Sequence, residues 1–471
     1  MVYIYIYYKI TTYLLQNYNI YKIKKKEEKK ILYNTKIKTI MQDDRKYDVI
    51  VWGATGFTGE MVVAALTGYQ DIYYSCKLPN SGKPLNVKFG IAGRNMEKLK
   101  KVHAMTNCSN EVEIFIADAN DVEHITKFVQ QTKVVIACAG PFARYSDTVV
   151  GICAENGTHF VDITGEVPWV RSVIDRFDDI AKATGACIVN MCGFDSIPFD
   201  VGTLFGVNRL RHKMGKPNLA IRRSTAHVSL LGGMSGGSVA TGINNNENPV
   251  MLTAGVDNDD PFLLGGTPKG GAREEDMDDY VNFVGELGGL YTCPSVMHNV
   301  NSRVVRRSAS LLNWGNQFNY TEFNFVPLKK VAEKSVQQRK NPAPPEVMKR
   351  LLDSGRLPKP GEGPSPKKRA KSRFDAILTV EGEDGSTIDV SCNGGEAGYE
   401  ETARMLLEAG LAMVEEPLLC PGIKSGGGVL TPAAALGENL IRRLNNVGIK
   451  FEVVSSKSAR AEEFTLAASK L

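Results

Sequence analysis

A chain of 471 residues is too long for one ordinary hydrophobic core, so two domains are expected, and its 43% hydrophobic and 23% charged residues exclude a disordered or fibrous chain. The formal net charge of +5 is uneven: residues 1–40 hold nine lysines against two glutamates, a net +7, and residues 41–471 carry about −2. That near-neutral body excludes the overall basic surface that draws nucleic acid.

In chain order, residues 1–45 read as a disordered basic extension, with Met41 as an alternative start. The run Val2–Tyr8 is apolar but too short to span a bilayer, and no run of 18 apolar residues follows anywhere, so no transmembrane helix is expected. From Tyr47 the pattern alternates. Strands are expected at Tyr47–Trp52, Val87–Ala92, Glu113–Asp118, Val134–Ala139, Phe160–Asp162 and Cys187–Asn190. Helices are expected between them at Gly59–Leu66, after Asn95, at Val122–Gln130, Thr148–Asn156 and Val167–Thr184, with Thr67–Asn86 a loop or helix extension. This alternation predicts an α/β fold with a Rossmann-type doubly wound parallel sheet.

After Asp200 the rhythm changes. Residues 215–330 mix β-like runs with glycine clusters such as Leu231–Gly237, which predicts an inserted α+β, mainly antiparallel domain. Residues 339–373 are rich in Pro, Lys and Gly and read as an exposed loop; within it, Pro366–Lys371 reads as solvated rather than as a nuclear signal. A hairpin at Phe374–Gly382 and Ser386–Val390, helices at Tyr399–Met413 and Thr431–Asn446 and a strand at Lys450–Val454 close the chain. The expected domains are 46–195 for the Rossmann domain, 196–395 for a substrate or dimerisation domain, 396–455 for elements returning to the Rossmann domain, and 456–471 as a tail. The nine cysteines form no Cys-x-x-Cys pair and no zinc spacing, so free thiols in a reducing, cytoplasmic compartment are expected, with no metal.

The first strand runs into Gly53-Ala54-Thr55-Gly56-Phe57-Thr58-Gly59 and then a helix. In that setting Gly53 permits the tight turn, Gly56 lets the backbone approach a diphosphate, and Gly59 lets helix and strand pack closely. The helix N-terminus offers free N–H groups to phosphate, and Thr55 and Thr58 add hydroxyls. The second strand ends Ala92-Gly93-Arg94-Asn95, without the acid that bonds a ribose 2′-hydroxyl, and Arg94 suits a 2′-phosphate, so NADP(H) is the expected cofactor. Asp118 is placed to bond adenine or to cap the next turn; Ala139, Gly140 and Pro141 end the fourth strand, where loops meet the cofactor.

These residues carry a resemblance. GATGFTG at Gly53–Gly59, Ala92-Gly93-Arg94, Gly140-Pro141-Phe142 with Tyr145, Gly157–Glu166, Cys192–Asp200, Val304–Ser308, Leu357–Pro364, Gly398–Ala403 and Gly428–Ala433 are similar to the saccharopine dehydrogenase-like oxidoreductases, in particular the branch of the trans-acting enoyl reductases. The resemblance spans about residues 46–455. It implies an NADP-type Rossmann domain, closing helices that pack back on it, and reduction of an unsaturated acyl chain or carbonyl in complex-lipid (glycolipid) metabolism, on a lipid-linked or acyl substrate. It also implies peripheral contact with lipid droplets or membranes, and a homodimer is an open expectation.

A nicotinamide reductase also needs a proton donor near the developing negative charge. Tyr145, after the fourth strand, and Asp195 and Ser196, after the sixth, are the catalytic candidates. Each has a plainer role open: Tyr145 packing on the cofactor, and Asp195–Pro198 a turn with Ser196 capping the next helix. Asp162, Thr164 and Glu166 follow the fifth strand, where Asp162 also suits backbone amides; His159 reads as an interior histidine. Arg306 and Arg307 read as an exposed strand pair rather than as a carboxylate or phosphopantetheine site. Two other functions remain open at this stage: a saccharopine-type amino-acid dehydrogenase, which would draw on Arg222-Arg223 and Arg306-Arg307, and a non-catalytic lipid-droplet protein that keeps the cofactor fold.

Overall fold

The computed structural model describes residues 44–455 apart from 70–73, 75–81, 232–255, 279–283, 288, 342–343 and 356–362. The N-terminal extension, the tail and most of the Leu231–Gly237 and Leu357–Pro364 runs lie outside the described residues.

The first half alternates as its hydrophobic pattern requires: β1 (Tyr47–Trp52), α1 (Phe57–Thr67), β2 (Phe89–Gly93), α2 (Met96–Met105), β3 (Glu113–Ile116), α3 (Val122–Val129), β4 (Thr132–Ala137), α4 (Asp147–Asn156), β5 (His159–Asp162), α5 (Val167–Thr184) and β6 (Cys187–Val189). Most strands are near-continuous apolar runs because the sheet is covered on both faces. Val49 and Val51 of β1 pack with Met61 and Val62 of α1, while Ile50 and Trp52 pack with Phe128 of α3. Local chemistry sets the helix ends. Asn95 and Asp121 cap α2 and α3 with their side chains, and Gly157 and Gly185 close α4 and α5 in the left-handed conformation.

The long helix α6 (Ile197–Met214) leads into β7 (Ile221–Leu231), β8 (Gly285–Leu287), β9 (Leu290–Pro294), α7 (His298–Leu311), β10 (Asn319–Val326), α8 (Lys329–Lys340), α9 (Pro345–Asp353), β11 (Arg373–Gly382) and β12 (Thr387–Gly394). A π-turn at Ala397–Glu401 opens α10 (Thr402–Glu415); β13 (Gly428–Leu430), α11 (Pro432–Asn446) and β14 (Lys450–Val454) follow.

Two seven-stranded sheets result, ordered β13-β6-β5-β4-β1-β2-β3 and β14-β12-β11-β7-β10-β9-β8. All pairings in the first are parallel. The second is antiparallel except for β7 with β10, which run parallel. α10 lies against α1, β4 and β5, so a C-terminal helix completes one face of the first sheet.

Three expectations need correction, and one strand was not foreseen. Lys450–Val454 does not return to the Rossmann sheet; it pairs with β12, filling an edge whose amides would otherwise be open. The strand that does return is Gly428–Leu430, too short to register as periodicity. Arg306 and Arg307 lie on α7, not on an exposed strand, and Arg306 is buried because backbone carbonyls of Pro261 and Tyr320 accept from it. The 339–373 segment is not one exposed loop: it carries α9 and a helical turn at Pro366–Arg369, and Arg369 is buried against Glu400.

Candidate functional site

The glycine loop sits where the first sheet's carboxyl ends meet the second half of the molecule. Gly53 has φ +79°, a region that side chains disfavour, and a Cβ there would lie 2.7 Å from the Ala139 nitrogen. The loop after β4 therefore closes directly on the turn after β1. A Cβ on Gly59 would lie 2.9 Å from the Ala54 Cα, so α1 rests against the turn as only glycine allows. Gly56 is the N-cap of α1 and has no side-chain acceptor to give, which leaves first-turn amides for an anion. The hydroxyls of Thr55 and Thr58 have no partner among the described residues, and both side chains are half-exposed. Together these features fit a dinucleotide diphosphate: a cradle that a Cβ would fill, beside an uncapped helix start. The Phe57 ring turns away, edge-on to Tyr399 at 4.5 Å and 5.5 Å from the Arg369 guanidinium.

Arg94 is exposed at the end of β2, and no ion pair engages it among the described residues. Its guanidinium lies 5.5 Å from the centre of the Tyr145 ring. Asp118 is exposed after β3, where its Oδ1 accepts from the Asn120 amide at 3.4 Å, a turn-capping contact. Beyond Ala139, Gly140 and Pro141, a single helical turn spans Phe142–Tyr145. Glu166 braces it by accepting from the Phe142 and Ala143 amides at 2.7 and 3.0 Å, and the Ser146 hydroxyl donates to the Ala139 carbonyl at 3.1 Å.

At the ends of β5 and β6 the polar groups divide into structural and free. Asp162 is wholly buried; it accepts from the Thr164 and Met191 amides and from Asn190 Nδ2, and burial pushes its carboxyl up to about 7. It is a backbone clamp. His159 is likewise interior, its Nδ1 accepting from the Cys187 amide. Asp195 differs: half-buried, with no partner for its carboxyl among the described residues, and raised by burial to about 6. The Ser196 hydroxyl is buried, has no partner among the described residues, and does not cap α6, so that helix starts without it.

The second sheet brings up a carboxyl that the sequence did not flag. Glu322 on β10 is buried and accepts from Ser295, Asn301 and Tyr320, with the last two at 2.8 and 2.9 Å. Burial first, opposed by those donors and reinforced by the negative charge of nearby Asp195, sets it at about 7. His298, 1% exposed and stacked on Tyr320, is held neutral by burial, at about 3. The one available signal was polar Glu322 between aromatic neighbours in Tyr320–Phe325, a charge in a strand with no exposed face. The described residues contain no group of three His, Cys, Asp or Glu side chains placed to hold a metal, and no helix among them is long and apolar enough to cross a membrane.

Residues 49–189, from β1 to β6, match the saccharopine dehydrogenase NADP-binding domain. A Mycobacterium tuberculosis protein provisionally named a trans-acting enoyl reductase is 30% identical over 435 residues, 87% of this chain and 97% of that one. The trans-acting enoyl reductase of Mycobacterium leprae is 29% identical over 439 residues, 86% and 97% of the two chains. Among solved structures, the saccharopine dehydrogenase (L-Glu forming) of Saccharomyces cerevisiae aligns with 87% of this chain and 100% of its own at 13% identity, with a TM-score of 0.46. The family match makes residues 49–189 an NADP(H)-binding domain.

Proposed function

Because the chain belongs to the saccharopine dehydrogenase-like oxidoreductases, in the branch of the trans-acting enoyl reductases, we propose that it is an NADPH-dependent reductase of a double bond or carbonyl in a lipid-derived acyl substrate. What supports this is the glycine cradle after β1 together with Asp195 beyond the end of β6, a half-buried carboxyl with no partner among the described residues. When bound, NADPH supplies a hydride there. The chain's own residues do the rest. Amides at the start of α1 hold the diphosphate, and Arg94 meets the 2′-phosphate. The protonated Asp195 carboxyl gives the proton that completes the reduction, and beside it the buried Ser196 hydroxyl has no hydrogen-bond partner among the described residues.

An amino-acid dehydrogenase acting on a carboxylate-rich adduct would need free cations in the second domain. Arg222 and Arg223 instead pair with Glu381 and Glu275, each at 2.9 Å, and Arg306 and Arg307 are engaged by backbone carbonyls. That use of all four arginines favours an uncharged acyl substrate.

The test is isotope transfer. Full-length protein incubated with NADPH deuterated at nicotinamide C4 and a total lipid extract should place one deuterium in a saturated or reduced lipid, detected by mass spectrometry. Coenzyme binding with no deuterium in any lipid would overturn the reductase assignment and leave a non-catalytic, cofactor-holding protein.

A further inference from the structure

The sequence offers Tyr145 as a proton donor, but its position in the fold gives it different work. β2 and β4 lie on either side of β1, with Trp52 level with Ala92 on one side and Ala137 on the other. The turn that follows β4 is drawn under the end of β1, where Trp52 Nε1 donates to the Tyr145 carbonyl at 2.9 Å. This places the Tyr145 ring beside the end of β2, the edge of a dinucleotide site where the adenosine ribose rests. The opposite edge, toward β5 and β6, is where Asp195 stands.

Two guanidiniums converge on that ring. Arg94 lies 5.5 Å from its centre and Arg144 lies 5.2 Å from it. The two reach it from different elements, one from the end of β2 and one from the turn after β4. Both arginines are exposed, and among the described residues no carboxylate pairs with either. By contrast, Arg176 pairs with Asp147, Lys127 with Glu123 and Lys182 with Asp178. Two like charges beside one aromatic ring, neither paired with a carboxylate among the described residues, favour a compact, multiply charged anion. A phosphate monoester is dianionic near neutral pH, and arginine forks match its oxygens.

We propose that Arg144 and Tyr145, with Arg94, form the recess for the adenosine 2′-phosphate, so that Arg144 is a second determinant of NADPH over NADH and Tyr145 is the platform that positions both guanidiniums. This rests on the reading of the glycine loop as the diphosphate cradle. Tyr145 then stands apart from the reacting carbon, and proton delivery belongs to the β6 end.

Equilibrium titration of the full chain with NADPH and with NADH, by coenzyme fluorescence, tests this. Arg144→Ala should weaken NADPH by about tenfold, the loss of a charge-assisted contact, and leave the NADH affinity within about twofold. The salt dependence of NADPH binding should flatten in the same variant, because one fewer cation faces the phosphate. Tyr145→Ala should lower the NADPH-to-NADH preference by about threefold. Tyr145→Phe, which restores the ring without the hydroxyl, should recover most of that preference. Equal losses for both coenzymes, or no change in their ratio, would overturn the recess. Wild-type protein that binds neither coenzyme would remove the glycine-loop reading, and this proposal with it.

Discussion

Asp162 ends β5 and Asp195 lies a few residues beyond the end of β6, and their surroundings give them opposite duties. Asp162 is saturated by three donors, so Asp162→Ala should leave two buried amides unsatisfied and cost about 2–4 kcal/mol in denaturant unfolding. Asp195 has no such donors, and burial raises it to about 6. As a proton donor it acts when protonated, so turnover should fall as pH rises through about 6. Asp195→Asn should lower kcat about a hundredfold or more and abolish that pH dependence, with NADPH affinity retained. Glu322 yields a separate prediction. Its folded value of about 7 lies above the ordinary 4.5, so its contribution to stability is full below about 4.5 and is lost as pH rises through about 7. Glu322→Gln keeps the shape and removes the ionisation. Its melting temperature relative to wild type should therefore rise between pH 5 and pH 8, and a difference that is flat with pH would contradict the assignment. At this scale the turn at Gly53 and the close packing at Gly59 were legible in the sequence, because backbone sterics dictate glycine there. Glu322 and Arg369 were not, because nothing in one sequence shows which charges a distant strand or helix will bury.

At the scale of elements, the helices from 96 to 184 were readable because their ends carry their own signals: Asn95 and Asp121 at the starts, Gly157 and Gly185 at the ends. β13 was hidden by its length of three residues, and α7 by a sequence whose apolar and polar residues serve two neighbours at once. One junction between elements reaches the cofactor loop. Glu396 caps the π-turn by accepting from three amides, Tyr399 in that turn meets Phe57, and Arg369 joins them through its 2.6 Å pair with Glu400. The start of α1 is thereby tied to the C-terminal half. Arg369→Ala removes the guanidinium paired with the buried Glu400 carboxyl and should cost about 3–5 kcal/mol, read as a lowered urea midpoint. Glu400→Gln, which removes the charge but keeps a hydrogen-bonding group, should cost less than half of that.

Across the whole molecule, the parallel sheet was legible as alternation, and the second sheet only as a change of rhythm. Its order, with β14 beside β12 and β7 parallel to β10, depends on contacts between residues 57–65 and 96 positions apart. The C-terminal helix α10 covers the first sheet, so the cofactor domain is completed by residues from both ends of the chain. Everything proposed for the site depends on the loop after β1 holding a diphosphate. The most direct measurement is a titration of wild-type and Gly56→Asp protein with NADPH, alongside thermal unfolding of both. Aspartate is a favourable N-cap, so the variant should melt no lower than wild type, while its carboxylate takes the first-turn amides and repels the diphosphate. Saturable NADPH binding by the wild type and its loss by at least about a hundredfold in the stable variant is the predicted result; equal binding by both proteins would contradict the account.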